Sequence, residues 1–159
     1  MMSTRSKNKR AAKNVPVVTP GASGVQAVRL ARALQALAKG LPNPWDESTD
    51  FFRQFTAALP VKTKLDADSF RAALRIGARY ELDFSPADNI LAKLAKDAAS
   101  QGRDGADGFA QLRVVMRATL KDLQLVFARG KGVVRVRVWL FGRTHDGTLV
   151  GLRSESTET

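Results

Sequence analysis

The sequence predicts an α+β fold, with helices packed on a small, mainly antiparallel sheet formed largely by the C-terminal third, an α-β-α-like sandwich. Two features predict it. Through about residue 120 the apolar side chains recur at helical spacing, and from Val134 the period drops to two. His145-Asp146-Gly147 then turns the chain back, Asp-Gly being a favoured hairpin dipeptide, so that Thr148–Ser156 can pair with Val133–Phe141.

Residues 1–22 are polar and basic, carry Pro16, Pro20 and Gly21, and lack apolar periodicity. They read as a disordered arm ahead of one domain over 23–159. Ser23 and Gln26 have capping-box spacing. Val25, Val28, Leu30, Leu34, Leu37 and Leu41 follow at helical intervals, and Gly40 then Pro42 supply a stop. This predicts an amphipathic helix over about 24–39. Leu41–Asp50 reads as an irregular connection, and Phe51, Phe52 and Phe55 mark a buried segment that is helix or strand. Asp66 or Asp68 can cap a helix through Phe70, Ala73, Leu74 and Gly77. Ser85-Pro86 predicts the start of the next helix, with Asp88 complementing its positive end and Ile90, Leu91, Leu94, Ala95 and Ala98 on its apolar face. Gly102 ends it. A further helix runs from about Asp107, with Phe109, Leu112, Val115, Met116 and Leu120 on one side. Leu125–Phe127 is a candidate strand before the turn at Arg129-Gly130-Lys131-Gly132. Val134, Val136, Val138 and Leu140 then alternate with Arg135, Arg137, Trp139 and Phe141.

A chain of 159 residues suits one domain. It has no cysteine, which excludes disulfides and thiolate metal sites. No apolar run approaches the ~20 residues of a spanning helix, and VPVV is too short for a signal-peptide core. A cytoplasmic protein without a membrane partner is expected, its oligomeric state open. The net charge of +11 is uneven: residues 1–45 carry eight Lys/Arg and no acid, whereas the rest carries eighteen against fifteen acids. A basic arm thus precedes a nearly balanced domain.

No P-loop, dinucleotide fingerprint or H-E-x-x-H occurs, and no nucleophile elbow accompanies His145, which reads as a turn residue. Arg103–Gly108 lacks the ligand ladder of a calcium loop. The expectation is a protein that is not an enzyme and has no cofactor of its own. Arg5, Lys7, Lys9, Arg10 and Lys13, with Arg135 and Arg137 beside Trp139, offer one route to function: arginines meeting phosphates while the indole stacks on a base. The competing reading of that strand is an alternating one with a solvated outer face.

The C-terminal stretch carries a resemblance. Gly142-Arg143-Thr144-x-Asp146-Gly147-Thr148-Leu149-Val150-Gly151-Leu152, followed by a short polar strand and Glu158-Thr159, resembles the carboxyl terminus of the nuclease A inhibitor family. That family's pattern is close to G-x-T-x-x-G-x-L-x-G-[LI]-x-T-x-x-x-E-T. Upstream, Lys39-Gly40-Leu41, Asp46-Glu47-Ser48 with its Phe-rich sequel, and Leu65-Asp66-Ala67-Asp68-Ser69-Phe70 resemble the family's G-L, S-E-S and D-x-D-S-F regions. Together the matches span about 25–159 with gaps.

The resemblance implies an inhibitor of a sugar-non-specific, magnesium-dependent nuclease. Its members insert the C-terminal threonine into the nuclease active site, assisted by a glutamate, and engage the catalytic metal. The matching positions are Thr159 and Glu47, with Glu158, Thr157 and Asp46 at the expected contact; Asp46, Glu47 and Asp50 remain alternatives for the assisting carboxylate. Thr159 and Glu47 would then meet a metal only as the partner's bound Mg²⁺. Ser156-Thr157 stand where the family has two valines. The inhibitors that define the family are acidic and this chain is basic, so its cognate nuclease has a differently charged rim or the fold serves another partner. The alternative function is nucleic-acid binding through the basic arm and the Arg-bearing strand.

Overall fold

The structure is a computed structural model describing residues 24–39, 41, 52–100, 106–132 and 135–157. In chain order the elements are α1 (Gly24–Ala38), β1 (Arg53–Ala57), α2 (Ala67–Leu74), β2 (Tyr80–Pro86), α3 (Ala87–Ser100), α4 (Ala106–Thr119), β3 (Lys121–Gly130), β4 (Arg135–Arg143) and β5 (Leu149–Thr157). The five strands form one antiparallel sheet in the order β1-β5-β4-β3-β2. The expected α+β fold is present, and the sheet is largely C-terminal.

Period-two alternation on β4 decides the two layers. Val138 and Leu140 point to one side, where with Leu125, Val150 and Leu152 they bury the apolar faces of α1, α3 and α4. Leu91 of α3 and Leu112 and Met116 of α4 are fully enclosed there. Asp88 ties these two helices together through Arg113 at 3.0 Å and Arg117 at 3.5 Å. Trp139 and Phe141 point to the other side, against Phe70 of the short α2. The Phe70 ring stacks on Phe141 at 5.1 Å and meets Trp139 and Phe84 edge-on at 5.4 and 5.6 Å. Helices therefore cover both faces of the sheet, three on one and one on the other among the described residues.

Several elements differ from the sequence reading in detail. On α1 the buried positions are Ala27, Leu30, Ala31, Leu34 and Ala38, whereas Val25 and Val28 lie exposed. Small alanines let the helix approach the sheet closely, which rotates the stripe away from the valines. Of the segment marked by Phe51, Phe52 and Phe55, open between helix and strand, Arg53–Phe55 lie in strand β1, Phe52 precedes it and Phe51 lies outside the described residues. The outward Gln54 N–H donates to Gln35 Oε1 of α1 at 2.7 Å, satisfying a backbone group at the sheet edge.

α2 begins where expected, in a reciprocal capping box between Asp66 and Ser69. The Ser69 backbone N–H is the main cause that holds the Asp66 carboxyl below its usual range. The helix ends before Gly77, because Arg75 adopts φ +55° and Ile76 N–H reaches back to Arg71 O. That is a Schellman closure with an arginine in the left-handed position. The expectation that Ser85-Pro86 starts α3 is corrected: both belong to β2, opposite Leu125 and Gln124, and the helix follows at Ala87. β2 is an edge strand, where a proline costs no ladder bond on its open side.

Candidate functional site

The residues that carry the family resemblance are chiefly architectural. Arg143 is buried, with its guanidinium donating to Gly147 O at 3.3 Å, Thr63 O at 2.8 Å and Pro60 O at 3.0 Å. It clamps the loop after β1 to the hairpin between β4 and β5. Inside that hairpin the Thr144 hydroxyl donates to Asp146 Oδ1, and Thr148 N–H donates to both groups. Gly147 has φ +93°, and a Cβ there would lie 2.4 Å from Leu59 O. Gly151 sits opposite Phe55 and Phe141, whose rings meet edge-on at 6.0 Å over the bare backbone. A Cβ at Gly151 would lie 2.1 Å from Leu140 O. Threonine, aspartate and glycines are thus required by the packing of β5, independent of any partner.

The Thr144 hydroxyl is the main cause that holds the Asp146 carboxyl below its usual range. Its folded value lies below its unfolded one, so the stabilisation is present above about pH 4 and is lost as pH falls through the folded value. Asp146→Asn is expected to lower the urea midpoint near neutrality and to flatten its decline below about pH 4. An identical pH profile in the variant would contradict this.

The hairpin delivers β5 along one side of β4. The ladder continues to Arg135↔Thr157, whereas β1 accompanies β5 only as far as Arg53↔Arg153. Ser154–Thr157 are therefore paired with β4 alone among the described residues, and Thr157 closes the strand. Glu158, Thr159, Asp46 and Glu47 lie outside the described residues, as do Arg5, Lys7, Lys9, Arg10 and Lys13.

Arg135 and Arg137 are exposed on the face that carries Trp139. Arg135 pairs with Glu155 at 2.7 Å, and the Arg137 guanidinium lies 5.3 Å from the Tyr80 ring centre. The stacking role for Trp139 is corrected: its side chain is 5% exposed beneath Phe70, so a base cannot lie on its face. α2 is only eight residues long. It leaves a groove beside Arg53 and Arg153, whereas Ala57 and Leu149 farther along β1 and β5 are buried on this same face. The groove measures about 750 Å³ and is bordered by Arg53, Phe55, Arg137, Arg153 and Glu155, with the edge of the covered Trp139 in its wall. Arg53 and Arg153, which sequence reasoning missed, are direct cross-strand partners and both are exposed. Only the β1–β5 register could have revealed them.

Like charges directly opposite one another destabilise a sheet by up to about 1 kcal/mol. Among the described residues neither arginine forms an ion pair. Replacing Arg53 with glutamine is expected to raise the Tm by about 2 °C. A fall in Tm on scanning calorimetry would show that the pair is not repulsive.

No protein-family model and no curated protein matches this chain. Among the described residues no cluster of three metal-ligating side chains occurs, and no helix is long and apolar enough to cross a membrane.

Proposed function

We propose that this protein inhibits a magnesium-dependent, sugar-non-specific nuclease by inserting Thr159 at the metal of the nuclease, with Glu158 and a carboxylate from Asp46 or Glu47 assisting. The supporting observation is that β5 is a laddered strand up to Thr157, two residues before Thr159. A ligand carried two residues beyond a laddered strand has less conformational entropy to lose on docking than one on a long free tail. Mg²⁺ takes hard oxygen ligands in octahedral geometry and keeps exchangeable positions for substrate phosphate. The Thr159 carboxylate and hydroxyl offer such oxygens and contain no phosphodiester to cleave. The protein acts here as a binder and not as an enzyme.

The test is titration of such a nuclease with the protein bearing a free C-terminus, against one lacking Thr159 and one extended by a tag. Loss of that ligand is expected to weaken inhibition at least about a hundredfold, as for a hot-spot contact. Undiminished inhibition by both altered proteins rejects the plug. The alternative reading, nucleic-acid binding through the arm and Arg135 and Arg137, loses its stacking residue in Trp139. It still predicts affinity for DNA or RNA that falls steeply with salt.

A further inference from the structure

We infer that the open groove on the α2 side of the sheet is a docking surface for an acidic polypeptide segment, held by Arg53 and Arg153 with Arg137 at its border. Placing that segment on the rim of a nuclease rests on the function proposed above; the groove's preference for carboxylates does not.

Two observations carry the inference. Arg53 and Arg153 face each other across β1 and β5 without a carboxylate partner among the described residues. Such a pair opposes folding, and a bound anion would neutralise it. The guanidinium fork matches a carboxylate in bidentate geometry, which makes arginine better suited than lysine to this task. Glu155, the carboxylate that borders the groove, is engaged with Arg135 at 2.7 Å and leaves the facing pair uncompensated.

The groove's lining favours protein over nucleic acid. Single-stranded nucleic acid gains much of its affinity by stacking bases on open aromatic faces. Here Trp139 is covered by Phe70. Arg153, Glu155 and Thr157 alternate on one face of β5, so the groove lies about 13 Å along the strand from its last described residue. A partner that grips the end of β5 would overlie the arginines, because ordinary interfaces extend much farther than that.

The experiment uses the full chain with Arg5, Lys7, Lys9, Arg10 and Lys13 changed to glutamine, so that the arm adds no affinity. Fluorescence anisotropy is read with a labelled polyglutamate peptide and with an oligothymidylate of equal length. Tighter binding of polyglutamate is expected, weakened about tenfold by Arg53→Gln with Arg153→Gln and unchanged by Lys93→Gln with Lys96→Gln on α3. The double arginine variant should melt no lower than its parent, so lost binding cannot be lost folding. Absence of polyglutamate binding, indifference to the arginine changes, or arginine-dependent preference for oligothymidylate each overturns the inference. Removing Thr159 should leave polyglutamate binding intact. If removal abolishes nuclease inhibition while the groove binds nothing, the groove alone falls. If the groove binds and no nuclease is inhibited, only the inhibitor reading falls.

Discussion

Replacing Phe70 with alanine is expected to destabilise the protein by about 4 kcal/mol and to lower its Tm by roughly 10 °C. The ring is fully buried and touches Phe84, Trp139 and Phe141. α2 contributes no other fully buried side chain to the sheet, so collapse around the cavity is limited. Removal also uncovers the Trp139 indole. With Trp45 changed to phenylalanine to leave one reporter, its emission should move to the red before global unfolding. A Tm shift below about 3 °C would mean that α2 is not what seals this face.

Arg143→Met should be the next most damaging change, at about 3 kcal/mol. The substitution keeps an apolar stem but leaves Pro60, Thr63 and Gly147 carbonyls without the donor that satisfies them. Lysine is expected to restore little, since an ammonium cannot fork toward three acceptors held in different directions. The loop after β1 contains Lys62 and Lys64, both exposed. Trypsin should therefore cut the variant there much faster than the parent. Equal cleavage rates would show that the loop is fixed by other contacts.

These two residues also explain how much of the fold was legible from sequence. The hairpin was legible because Asp146-Gly147 stands between two alternating runs, and its register differs from the expected one by two residues on β4 and one on β5. The Asp66 cap was legible because its bond to Ser69 is local. β2 was missed although Tyr80, Leu82 and Phe84 alternate with Glu81, Asp83 and Ser85. The helix-start signature of Ser85-Pro86 drew the boundary too early, because a strand running straight into a helix places proline at the junction. The order of the strands was beyond reach, since β1 inserts beside β5 across most of the chain. That non-local pairing is what brings Arg53 to Arg153. The indole at Trp139 was misjudged for the same kind of reason: its cover, Phe70, lies far away in sequence.

The function proposed here concerns one contact, and that contact can be read directly. A nuclease of the stated class is loaded with Mn²⁺ in place of Mg²⁺, the two ions sharing hard-oxygen octahedral chemistry. The inhibitor is labelled at its threonine methyl groups, and its NMR spectrum is recorded in the complex. The paramagnetic ion should erase the Thr159 methyl signal and spare that of Thr119 at the far end of α4. A Thr159 signal that keeps its full intensity in a saturated complex would contradict the proposal.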